Sequence, residues 1–187
     1  MFKLNYIILE DSKKELENLA SGELDDFEGQ IELYFNDTQI GCLFPMCTFY
    51  NEYMLWWFTI LNEASLKLIN NDYIICYMPD RNFRLEMIKK GEYCIVNEVT
   101  PQQSSWTGGS VITDKIEDYT IFTKSERILT FDFVNEIYFK TKSFIDDISA
   151  INSELVYNKS LKDIIAMNNE LGIYLNQNYS SNRCEND

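Results

Sequence analysis

The segment from residue 50 to residue 69 constrains the fold more than any other part of the chain. Its apolar residues recur at spacings of three and four, which is the period of an α-helix. One apolar row contains Met54, Trp57, Phe58, Leu61, Ala64 and Leu68, and a second contains Tyr53, Trp56 and Ile60. A helix that is apolar on two faces is expected to be covered on both, with the Trp56–Trp57 pair in the core. Thr48 or Asn51 is its predicted N-cap.

Strand-like segments flank this helix on both sides. Their apolar residues alternate or run together over short lengths, and turn residues separate them. The predicted strands cover residues 3–10, 31–36, 40–44, 73–78, 83–89 and 93–99. The last three follow one another closely, so they predict an antiparallel meander with turns at 79–82 and 89–92. Residues 116–122 form either a further strand or part of a loop.

Three more helical segments complete the pattern. Residues 11–24 are compatible with a short charged helix, and residues 130–151 predict a second long helix. Ser160 and Asp163 resemble a capping box, which predicts a last helix over 161–171 that ends at Gly172. The polar residues 176–187 are expected to fray. The chain is therefore predicted to be a single α+β domain over residues 1–175, with a mainly antiparallel sheet packed against two long helices and a short C-terminal helix.

The chain contains no histidine, which removes the commonest general acid or base near neutral pH and the commonest metal ligand. Nucleophilic sites of the Ser–His or Cys–His kind are therefore excluded. No Cys-x2-Cys pair favours zinc, and Gly108–Gly109 matches neither type of phosphate-binding loop. Glu86 and Lys89 superficially resemble a PD-(D/E)xK nuclease motif, but their spacing puts them on opposite faces of a strand. No catalytic motif is left, and no cofactor is expected.

The cysteines favour a reducing compartment. The chain has five cysteines, an odd number: Cys42, Cys47, Cys76, Cys94 and Cys184. Four of them lie within apolar runs. This pattern is typical of reduced thiols. The first nine residues do not resemble a signal peptide, and no segment approaches the length of about 18 apolar residues needed for a transmembrane helix. We expect a cytoplasmic protein without a membrane partner.

The net charge of the chain limits the classes of partner that it is expected to bind. Thirty acidic residues against sixteen basic ones give a formal net charge of -14. This sign disfavours nucleic acids and anionic membranes, because both attract proteins through Lys and Arg. Residues 1–50 hold ten acids and three bases, so half of the net charge (-7) falls there. A basic protein partner is predicted, the alternative being that these acids form only a solvated face.

The candidate partner-binding residues are seven acids and one aromatic residue: Glu10, Asp11, Glu15, Glu23, Asp25, Asp26, Glu28 and Trp106. Trp106 is included because the polar segment around it offers nothing to bury it, and loop aromatics are frequent at interfaces. Two other interpretations of the acids stay open. Asp25, Asp26 and Glu28 are possible calcium ligands, although the EF-hand spacing is missing. Two carboxylates could also meet as a glycosidase-type pair.

The profile of the whole chain resembles the immunity proteins that accompany bacterial polymorphic or contact-dependent toxins. The resemblance lies in the acidic 10–32 region, the helix that begins YNEYMLWWF at Tyr50, and the short strands between residues 73 and 99. It implies a non-enzymatic protein that binds a cognate toxin domain, often a basic nuclease, and occludes its active site. No motif assigns a role to an individual residue. Two alternatives are a carboxylate- or metal-dependent hydrolase and a structural or adaptor subunit of a bacterial or phage assembly.

Overall fold

A computed structural model describes residues 1–44, 51–78, 83–101, 109–115, 119–121 and 125–184. The chain is an α+β protein, as predicted, and every described strand pair is antiparallel. In chain order, the elements are β1 (Phe2–Ile8), α1 (Glu10–Glu17), β2 (Glu28–Phe35), β3 (Thr38–Gly41), β4 (Glu52–Tyr53), α2 (Met54–Asn70), β5 (Tyr73–Tyr77), β6 (Arg84–Lys90), β7 (Tyr93–Pro101), β8 (Val111–Ile112), β9 (Tyr119–Ile121), β10 (Glu126–Leu129), α3 (Thr130–Ile151) and α4 (Lys159–Cys184).

The strands form two sheets rather than one. The smaller sheet has the order β1-β2-β3, with β4 also paired to β2, and the larger has the order β10-β7-β6-β5-β8, with β9 also paired to β7. The predicted meander is confirmed as β5, β6 and β7. Gly91 supplies a positive φ of 62° at the turn between β6 and β7, a conformation that glycine adopts without steric cost.

Helix α2 lies in the middle of the fold, where it contacts α3, α4, β2 and β5. Its first apolar row is buried throughout, and Ile60 of the second row is buried as well. The second row is not covered along its whole length, however, because Trp56 is 36% exposed and Tyr53 is 48% exposed. The prediction that the Trp56–Trp57 pair is core is therefore right for Trp57 and wrong for Trp56.

Helix α3 has the predicted bounds, whereas α4 is longer than predicted. The predicted stop at Gly172 is wrong, and residues 176–184, which were expected to fray, continue the helix. Gly172 is needed for packing instead, since a Cβ atom there would lie 2.9 Å from Cε2 of Tyr138 on α3. The predicted capping box is wrong too. Asn158 caps α4, because its Oδ1 accepts hydrogen bonds from the backbone N–H groups of Ser160 and Leu161 at 2.8 and 3.3 Å.

The two sheets and the three long helices share one hydrophobic core. Phe58 and Phe144 stack at its centre with ring centroids 3.8 Å apart, which joins α2 to α3. Leu161, Ile164, Leu171 and Leu175 of α4 close the core from another side. Within the described ranges, no helix is both long and apolar enough to cross a membrane.

Candidate functional site

A groove of about 770 Å³ opens where β1 leads into α1, beside the start of β2 and the residues just before α2. Five of the seven predicted acids line it, and it is called the acidic groove below: Glu10, Asp11, Glu15, Asp26 and Glu28. The structure brings these five together from two separate parts of the chain. Glu23 and Asp25 are exposed but do not line the groove. Trp106 lies outside the described residues.

Helix α1 forms one wall of the groove. The side chains of Glu10 and Asp11 are 78% and 93% exposed, and each pairs with the lysine three residues later. The hydrogen bond from Lys13 lowers the pKa of Glu10 below its ordinary value, which extends the ionised range of this carboxylate toward more acidic pH. Ser12 holds the wall in place, because its buried hydroxyl donates to the backbone carbonyl of Glu28 at 2.7 Å.

Asp26 has a structural task at the groove. Its Oδ1 accepts hydrogen bonds from the backbone N–H groups of Phe27 at 2.7 Å and Leu55 at 2.9 Å, and its Oδ2 accepts from that of Trp56 at 3.0 Å. Asp26 therefore caps the first turn of α2. The helix's own N-cap residue, Tyr53, makes no capping hydrogen bond with its side chain. Burial raises the pKa of Asp26 above its ordinary value, and the three hydrogen bonds oppose that rise.

The opposite wall combines a carboxylate with an aromatic ring. Glu28 Oε2 accepts a hydrogen bond from Asn51 Nδ2 at 2.6 Å. Glu28 and Tyr53 are cross-strand partners in the pairing of β2 with β4, so their side chains are neighbours on one face of the sheet. The predicted N-cap role of Asn51 is wrong, since α2 begins three residues later and the Asn51 amide binds Glu28.

Two buried or part-buried asparagines anchor the segment that leads from α1 into the groove. Asn152 Nδ2 donates to the backbone carbonyls of Leu16 and Leu19 at 2.9 and 3.0 Å. Asn158 Nδ2 donates to those of Ser21 and Leu24 at 2.9 and 2.8 Å. The backbone of the acidic segment is thereby fixed to the connection between α3 and α4.

Tyr53 was missed as a site residue. It is 48% exposed and lines the groove, whereas the 36% exposed side chain of Trp56 does not line it. The helical period had assigned Tyr53 to α2, but Tyr53 lies in β4, where its pairing with β2 places it at the groove. Trp56 stacks on Tyr77 of β5 with ring centroids 5.7 Å apart and planes 19° apart, which holds the indole in one orientation.

The arrangement is suited to electrostatic binding of cationic groups. Four of its carboxylates are exposed, and they belong to a chain of net charge -14. Over the ranges that the structure describes, no group of three or more Cys, Asp or Glu residues is placed to hold a metal ion. Of the three acids considered as calcium ligands, Asp26 already uses both side-chain oxygens to accept hydrogen bonds from backbone N–H groups.

No protein-family model matches the chain, and neither a curated protein nor a solved structure is significantly similar to it.

Proposed function

We propose that the chain is a non-enzymatic binding protein that takes a basic protein at the acidic groove, and that it acts as an immunity protein. The observation that carries the proposal is the convergence of five carboxylates from α1 and the start of β2 on one groove. A toxin domain is the partner proposed, because a basic nuclease domain has the complementary charge. Binding at the groove would place the bulk of this protein over the active site of that domain and occlude it.

Two steps make up the proposed mechanism. The exposed acids Glu10, Asp11, Glu15 and Glu28 first attract the partner over about a Debye length, which is roughly 8–10 Å at physiological ionic strength. Shape and apolar contact at the groove then slow dissociation, since charge contributes more to association than to the lifetime of a complex. Steering of this kind makes the association rate fall as salt rises.

The proposed location is the cytoplasm. Cys42, Cys76 and Cys94 are free thiols in the structure, and Cys76 and Cys94 are buried. Burial raises the pKa of the Cys94 thiol to about 12, which keeps it protonated and unreactive at neutral pH. Free thiols of this kind are typical of proteins that work in a reducing compartment.

The experiment is to purify the full chain from its source cells, identify the basic protein that accompanies it, and rebuild the complex from the two pure components. The proposal requires a stable complex in which the partner loses a toxic enzymatic activity. Recovery of a multi-subunit assembly without such an activity would favour the adaptor alternative and contradict the immunity role.

A divalent-ion titration followed by thermal denaturation tests the hydrolase alternative. Specific stabilisation of the chain by one ion would favour that alternative.

A further inference from the structure

We draw no further inference here: the strongest candidate, the cavity of about 460 Å³ between the start of α3 and the turn that joins β6 to β7, offers a helix N-terminus but no side chain among the described residues that points to a ligand, because the ammonium of Lys89 in its wall already donates to two backbone carbonyls in the last turn of α2 and the hydroxyl of Thr130 is shielded from solvent.

Discussion

Carboxylates occupy two contrasting regions of this molecule, the acidic groove and the larger sheet. In the groove, the side chains of Glu10 and Asp11 are 78% and 93% exposed. In the sheet, Glu86 on β6 is fully buried and accepts a hydrogen bond from Asn97 Nδ2 on β7 at 2.7 Å. A hydrogen bond to Glu86, aided by burial, raises the pKa of Tyr119 on β9 to about 12.

The two regions show that one residue type performs two physical tasks. Glu86 links three strands, so its contribution is to the free energy of folding. The groove acids are solvated, so their individual contributions to stability are small, and their summed field acts on whatever approaches. Each of these acids contributes equally to the formal net charge, but their burial differs and so do their physical roles. Substitutions in each region are therefore expected to change different measurements.

The largest loss of stability is expected for Glu86→Ala, which leaves the buried Asn97 amide without its acceptor. The free energy of unfolding should fall by about 2–3 kcal/mol, which is the cost of leaving a buried polar group without its charged hydrogen-bond partner. Urea unfolding measures this fall. Glu15→Ala in the groove removes the same side chain from an exposed site and should change stability by no more than about 0.5 kcal/mol. Equal losses in the two variants would erase the distinction between the regions.

Asn158→Ala is expected to cost about 2 kcal/mol, because it removes the cap of α4 and the two anchoring bonds to Ser21 and Leu24. The amides of residues 18–26 should also exchange with deuterium faster than in the unmodified chain. Asn169→Ala, on an exposed position of the same helix, is the control and should change neither quantity appreciably. Unchanged exchange in Asn158→Ala would mean that this asparagine does not hold the acidic segment.

Asp26→Ala should lower the free energy of unfolding by about 1–2 kcal/mol through loss of the cap on α2. Asp26→Asn keeps one acceptor oxygen and is expected to recover part of that loss. The adjacent Asp25 is exposed, so Asp25→Ala provides a nearby control with almost no effect. Chemical denaturation of the three variants checks the order, and a loss in Asp25→Ala as large as that in Asp26→Ala would contradict the capping role.

The smallest effect at neutral pH is expected for Tyr119→Phe, under about 1 kcal/mol. The sign of its pH dependence follows from the raised pKa. The ordinary value is 10.0 and the folded value is about 12, so the unfolded chain loses this proton first. The stabilisation is complete below pH 10.0 and is lost as pH rises through about 12. The stability difference between the unmodified chain and Tyr119→Phe should therefore shrink with alkaline pH, and a difference that grows would contradict the bond to Glu86.

Local signals were enough to predict much of the fold. The bounds of α3 follow from its apolar period, and the β5–β6–β7 meander follows from short strands with turn residues between them. Signals that depend on distant residues were misread. Gly172 has the chemistry of a helix stop, but its role depends on Tyr138, which lies on another helix. The cap of α2 is supplied by Asp26 from before β2, beyond the reach of a local capping pattern.

The candidate site was predictable only in outline. The density of acids between residues 10 and 32 indicated a charged surface, but not that Glu23 and Asp25 would fall outside the groove. The helical period grouped Tyr53, Trp56 and Ile60 in one row, but Tyr53 lies in β4, before α2 begins. The period also could not show that tertiary packing buries Ile60 and leaves Trp56 partly exposed, because coverage depends on the elements that pack beside α2.

The most direct test of the central claim is the association rate with the purified basic partner, measured by stopped-flow fluorescence over a range of salt concentrations. The groove triple variant Glu10→Lys, Glu15→Lys, Glu28→Lys is compared with Asp146→Lys, Asp163→Lys, Glu170→Lys, which makes the same change in net charge at exposed positions outside the groove. At low salt, the groove variant should associate about tenfold or more slowly than the unmodified chain, and the control should be affected much less. Equal slowing in both variants, or none in either, would contradict the claim that the groove receives the partner.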